Sequence, residues 1–300
     1  MKIRWGVSPI AWMNDDMPEL GGDTPLEKLF GDCRDIGFEG VELGGKFPRR
    51  AEELGPLLGG YGLSLIGGWY STHLLARDAD AEIAAMQDHL ALIEAMGCDV
   101  FIAAECSNAV HGNRSHPLRE QPRVPEGEWA RFGERMTRIA EYVQARGMRF
   151  AYHYHLGTCV EKPADIEAFV AATGEAAGFV IDTGHAVLGG NDPVELINRY
   201  PGRVSHVHAK DIRRTVHKAV MAGGESFLDG VLAGMFTVPG DGSISFGAVM
   251  RALKAIDYSG WVVIEAEQDP AVADPKEYAT LGLATLKREA ALAGFARESA

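Results

Sequence analysis

The sequence predicts an α/β fold, a single (β/α)8 barrel that takes up the whole of residues 1–300. Three observations predict it. Short apolar runs rich in Val, Ile and Phe recur eight times, each followed by a longer segment, most of helical period. The runs are nearly continuously apolar, as parallel strands covered on both faces are. The composition shows no break or linker, and a closed barrel of this kind needs about 250 residues. An open doubly wound sheet would place a Gly-rich phosphate turn after an early strand. Here the first run leads into AWMNDD (11–16).

Taken in order, IRWGVSPI (3–10) is the first strand, and the helix at 24–37 has Thr24 as N-cap with Pro25 at its first position. FEGVEL (38–43) precedes the weakest helix, 49–62, interrupted by Pro56. LSLIGGW (63–69) is the third strand, followed by a helix over 79–97 that stops at Gly97. DVFIAAE (99–105) leads to a helix at 128–147 that stops at Gly147, and MRFAYHYH (148–155) to one at 162–173. GFVIDTG (178–184) precedes a helix at 192–200 capped by Asp192, and RVSHVHAK (203–210) one at 245–258. WVVIEAE (261–267) is the eighth strand, the helix at 275–295 is the last, and the terminal ARESA reads as frayed. Two stretches, 106–127 after the fourth strand and 211–244 after the seventh, read as long loops. Structureless loops of that length are expected to be lids or mobile segments, and in a barrel these lie on the catalytic face.

Composition narrows the function. A net charge of −13 disfavours nucleic acid and anionic membrane as partners. No apolar run is long enough for a membrane span, and the N-terminus lacks the pattern of a signal peptide. Cys33, Cys98, Cys106 and Cys159 have no CxxC spacing, which points to reduced thiols and the cytoplasm. The sequence is compatible with a homo-oligomer and does not fix one.

Polar residues gather where the strands end. Glu42 ends the second strand, Glu105 the fourth, and His153 and His155 the fifth. Asp182 and then His185 follow the sixth; His206, His208 and Lys210 lie on the seventh, Glu265 and Glu267 on the eighth. Side chains alternate along a strand, so His206, His208 and Lys210 share a face, as do Glu265 and Glu267. If those faces look inward, an Asp, a His and a Glu from three successive strands converge on the barrel axis. A buried carboxylate and imidazole must be neutralised, and such N/O donors suit a divalent ion of the Mn²⁺, Co²⁺ or Mg²⁺ type. A single Asp or His at a strand end is commonly a cap or a satisfied polar group, but four consecutive strand ends would each need a separate explanation. Glu42 and Glu105 could equally be structural ion-pair partners. Trp12, Trp69 and Tyr70 could form an aromatic wall for a sugar-like ring, though they read better as a plug of the barrel end. Nothing marks Cys106 or Cys159 as a nucleophile.

The strings GFEGVELG (37–44), AYHYH (151–155), IDTGH (181–185), HVHAKD (206–211), VPGDG (238–242) and VVIEAE (262–267) carry a resemblance to the xylose-isomerase-like superfamily of sugar isomerases and epimerases, which are TIM barrels. Within it, GVSPIAWMNDD (6–16), AYHYHLGTCVE (151–161) and FTVPGDGSISF (236–246) resemble the inosose dehydratases of inositol catabolism. The superfamily's metal ligands are Glu, Asp, His and Glu from strands five to eight. Asp182, His208 and Glu265 match the last three, while the first position falls on His153, with His155 or water as alternatives. The resemblance implies Mn²⁺ or Co²⁺, with glutathione as an added requirement.

It also implies loss of water from a cyclic polyol ketone, 2-keto-myo-inositol, to a trihydroxycyclohexanedione. A divalent ion would stabilise the enolate as a Lewis acid, with His155, His185 and Lys210 as candidate acids and bases. Glu267 or His206 would orient ligands, and Glu42, Trp69, Glu105, His206 and Glu267 would line the substrate site. The alternatives are a metal-dependent isomerase or epimerase of a free ketose or inosose, and a non-catalytic binding protein.

Overall fold

A computed structural model describes residues 2–295; the terminal ARESA, expected to fray, lies outside them. In chain order the strands are β1 (Ile3–Val7), β2 (Gly40–Val41), β3 (Ser64–Leu65), β4 (Trp69–Thr72), β5 (Val100–Glu105), β6 (Arg149–Tyr152), β7 (Ala177–Asp182), β8 (Val204–Ala209), β9 (Asp211–Ile212), β10 (Phe236–Thr237) and β11 (Gly260–Ile264). The helices are α1 (Leu26–Ile36), α2 (Ala51–Gly59), α3 (Ala79–Ala85), α4 (Gln87–Ala95), α5 (Trp129–Gln144), α6 (Pro163–Ala172), α7 (Thr183–Gly189), α8 (Pro193–Arg199), α9 (Arg214–Gly223), α10 (Phe227–Leu232), α11 (Phe246–Ala255) and α12 (Pro275–Leu292).

Nine strands pair in parallel in the order β3-β2-β1-β11-β8-β7-β6-β5-β4. The two ends of that order, β3 and β4, are joined by residues 66–68 alone, so the ladder curls back on itself as a (β/α)8 TIM barrel. The expected third strand is therefore one bent run: its start pairs with β2 and its end with β5. Glycine makes the bend. A Cβ on Gly68 would lie 2.6 Å from Leu43 Cβ, and one on Gly67 3.2 Å from Val100 O.

Four further expectations are corrected. The helix over 79–97 is two short ones that break at Met86. The first helix starts at Leu26, with Pro25 rather than Thr24 in the cap position. A short helix, α7, follows Asp182 directly; its two glycines hide it from periodicity. The stretch 211–244 is not a structureless loop but holds β9, α9, α10 and β10. Its antiparallel β9–β10 pair is pinned by Asp211, whose carboxylate accepts from the amides of Ile212, Gly240, Gly242 and Ile244 at 2.8–3.2 Å. That carboxylate is why HVHAKD and VPGDG occur together.

The main apolar core lies between the sheet and the helices. Inside the barrel, Ile66, Trp261 and Val263 form one small apolar group and Val100, Ile102, Ala151 and Val180 another. Trp261, beneath the Arg4 guanidinium, belongs to the first of these groups. A separate apolar cluster, including Met17, Leu118, Val220, Phe227 and Val231, roofs the C-terminal rim. There the two long segments are clasped: the Leu118 amide donates to Glu225 O at 2.8 Å, and Arg114 to Asp229 at 3.1 Å.

Candidate active site

Four ligand atoms meet at the C-terminal rim. His153, Asp182, His208 and Glu265 each offer one, all within 4.8 Å of one another. The strand register brings them there, with Asp182 level with His208 across β7 and β8, and Val263, two residues before Glu265, level with His208 across β11. Asp182 Oδ1 accepts from the His185 amide at 2.8 Å and so caps α7. Its Oδ2 has no hydrogen-bond partner, nor has Glu265 Oε2, and both are buried.

The imidazoles are oriented from behind. His153 Nδ1 donates to the Tyr154 carbonyl at 2.8 Å, leaving the Nε2 lone pair for the cluster. His208 Nε2 donates to Glu42 Oε1 at 2.9 Å, leaving Nδ1 inward. His153 Nε2 is 3.2 Å from His208 Nδ1 and 3.5 Å from Asp182 Oδ2, and His208 Nδ1 is 2.5 Å from Glu265 Oε2. Two imidazole nitrogens and two carboxylate oxygens without a hydrogen-bond partner converge on one point, where the carboxylate charge must be offset by a cation or by protons on the rings. The donor set therefore fits a divalent ion.

The charges respond accordingly. Burial lowers the pKa of His208, but Glu42 and Glu265 outweigh it and hold it well above the ordinary value. His153 is raised against burial by Asp182 and Glu265. Burial pushes Asp182 and Glu265 up, yet Lys210 in particular drives both well below the carboxylate range. Glu42 is lowered to about 2, burial being overcome by His208 and His206.

Beside this quartet, Lys210 Nζ lies 2.6 Å from Glu267 Oε1 and 2.9 Å from His185 Nε2. Burial, Glu265, Glu267 and Asp182 act on the ammonium, and the three carboxylates prevail and raise its pKa. Burial, then Lys210, depresses His185 well below the ordinary imidazole value. His155 donates from Nδ1 to the Leu156 carbonyl at 2.7 Å, which leaves Nε2 as acceptor, and burial with His185 and His111 nearby keeps it neutral.

A cavity of about 290 Å³ opens over these groups, lined by Glu42, Trp69, His155, His208, Glu265 and Glu267 among others. Its size suits a small polyol. Of the expected substrate-site residues, Glu42, Trp69 and Glu267 line it. His206 sits behind Glu42, giving it a second hydrogen bond at 2.9 Å. Glu105 is a correction: its buried carboxylate accepts from the amides of Leu74 and Ser107 and from the Thr72 hydroxyl, so it braces the rim instead of facing the cavity. Trp12 and Tyr70 are occupied elsewhere, bonded to Asp32 and Glu82. Among the candidate acids and bases, His155 lines the cavity, while His185 and Lys210 stand behind it.

Asp15, Asp16, Arg49 and His111 also line the cavity and carried no individual signal in the sequence beyond their place in GVSPIAWMNDD or in the long loop. Desolvation, Glu267 and Asp15 push Asp16 up to about 6. Phe227 on α10 packs against His155 with ring centroids 5.1 Å apart, and His111 against the same ring at 4.9 Å.

Residues 30–289 match the family described as xylose isomerase-like TIM barrel. The chain belongs to that family. Within the xylose isomerase-like proteins, it is 43 % identical over 300 residues to the rhizopine catabolism protein MocC of Rhizobium meliloti, covering all of this chain and 92 % of that one. It is 38 % identical over 280 residues to an inosose dehydratase of Geobacillus thermodenitrificans, 93 % of this chain and 94 % of that one. The solved structure of an L-ribulose 3-epimerase superposes over the full length of both chains with a TM-score of 0.64 at 19 % identity, a likeness of fold.

Proposed function

We propose that this chain is a metal-dependent inosose dehydratase that removes water from 2-keto-myo-inositol to give a trihydroxycyclohexane-1,2-dione in inositol catabolism. The observation that carries the metal dependence is the convergence of two buried carboxylate oxygens without a hydrogen-bond partner, Asp182 Oδ2 and Glu265 Oε2, on two inward-facing imidazole nitrogens. The similarity to inosose dehydratases over nearly the whole chain supports the reaction. His153, Asp182, His208 and Glu265 would hold the ion, and Mn²⁺ or Co²⁺ suits two nitrogen and two carboxylate donors. Bound there, it would supply Lewis acidity to the enolate that forms when the proton beside the ketone is lost.

The chain's own residues do the rest. His155 takes that proton on its free Nε2, being neutral and at the cavity wall. Asp16, poised near neutrality, hands a proton to the departing hydroxyl, so that one proton and one hydroxide leave as water. Lys210 keeps Asp182 and Glu265 ionised, with Glu267 and His185 beside it, and Trp69 walls the cavity. The four cysteines are unpaired, which fits a cytoplasmic enzyme.

The test is incubation of Mn²⁺- or Co²⁺-reconstituted protein with 2-keto-myo-inositol, with and without glutathione, following the ultraviolet absorbance of the diketone. Absorbance growth that depends on the ion supports the reading; a product of unchanged mass with shifted retention replaces it with epimerisation. The 43 % identity to MocC favours one second reading, a substrate from rhizopine catabolism, assayed in the same way.

A further inference from the structure

We propose that Lys210 is the second cation of a two-cation centre, its ammonium filling a position among Glu267, His185, Asp182 and Glu265 that would otherwise take a second divalent ion. This rests on the metal reading of the quartet above and goes beyond it.

His155, His185 and Glu267 bring ligand atoms within 4.8 Å of one another, directly beside the quartet. Lys210 Nζ stands against two of these three, Glu267 and His185. It is 2.6 Å from Glu267 Oε1 and 2.9 Å from His185 Nε2, then 3.5 Å from Glu265 Oε2 and 3.7 Å from Asp182 Oδ2. The last two are the oxygens that also face the inward imidazole nitrogens of the quartet. The same carboxylate atoms thus address two positive positions, as bridging ligands do in sites built for paired ions.

Charge supports this assignment. Asp182, Glu265 and Glu267 carry three negative charges, which a divalent ion and one ammonium balance. The fold makes room for the ammonium. A Cβ on Gly184 would lie 2.7 Å from Lys210 Cγ and 2.9 Å from Cδ, so the Gly of IDTGH clears the path of the lysine stem. The face of Phe236 closes the other side, 4.6 Å from Nζ. The site is thereby built to hold a single metal ion.

The experiment titrates the metal-depleted full-length chain with Mn²⁺, reading metal content and the electron paramagnetic resonance spectrum. The wild type is expected to bind one ion per chain with an isolated-ion signal. Lys210→Ala is expected to bind two, with a spin-coupled signal, and methylammonium to displace the second. Lys210→Met keeps the stem but not the charge; it is expected to bind one ion about tenfold or more tightly than the wild type, because a neighbouring positive charge is gone. It decides the matter if the Ala variant does not fold. One uncoupled ion in Lys210→Ala, or equal or weaker binding in Lys210→Met, overturns the proposal. A wild type that binds no Mn²⁺ overturns the metal reading of the quartet instead.

Discussion

His208 Nδ1 approaches Glu265 Oε2 to 2.5 Å while Glu42 holds the opposite nitrogen at 2.9 Å. The ring is gripped between two carboxylates, one that fixes its proton and one that shares its lone pair's target. Removing either target oxygen should therefore cost the ion. Asp182→Asn and Glu265→Gln are expected to lower bound metal sharply and to reduce turnover by about 10³-fold. Asn at 182 can still cap α7, so metal analysis beside a melting curve separates lost binding from lost structure.

Glu42 acts through His208. Glu42→Gln leaves an acceptor in place but removes the charge, and metal affinity is expected to fall by about 10–100-fold. Isothermal titration with Mn²⁺ measures it; unchanged affinity would reduce Glu42 to a wall of the cavity.

Gly184→Ala places a methyl group 2.7 Å from Lys210 Cγ. The lysine must move, and a displacement of that order is expected to lower kcat by about 10²-fold while one metal ion stays bound. Steady-state kinetics with metal content distinguish this from a folding defect.

Stability should depend on pH differently with and without the ion. In the metal-free protein His208 and His153 have raised pKa values, so their contribution is complete below about 6.5, the unfolded value, and is lost as pH rises through the folded one. His155, His185 and His206 are depressed, so theirs is complete above about 6.5 and is lost as pH falls. Each unmatched proton gives a slope of about 1.4 kcal/mol per pH unit. Melting temperatures with chelator are expected to peak near about pH 6.5, and added Mn²⁺ to remove the alkaline decline but not the acid one.

Glu105→Ala should test the rim without touching the chemistry. Three amides lose their buried acceptor and the Thr72 hydroxyl keeps only the Ala104 carbonyl, at a cost of about 3 kcal/mol. Chemical denaturation should show that loss, with metal affinity unchanged.

What could be read from the sequence followed from short-range rules. Alternation along RVSHVHAK and WVVIEAE is enough to turn His208 and Glu265 to one side, and apolar strands tell which side is inward. His153 stood in the ligand position because the resemblance aligned it there. What stayed hidden depends on contacts between distant segments. The bend at Gly67 and Gly68 answers to Leu43 and Val100. The helices of 214–232 are stabilised by a cluster that includes Met17 and Leu118. His111 and Phe227 reach His155 only because the two long segments are clasped. Glu105 had the right residue type at the right strand end, and only the path of the following turn showed that its oxygens were already taken.

The roof's apolar cluster is distinct from the one between sheet and helices. The helices of 214–232 pack on that outer cluster, so their amide protons should exchange with deuterium before those of the buried β7 and β8. The enzyme could then open its door to admit or release a ring without loosening the walls that grip the ion.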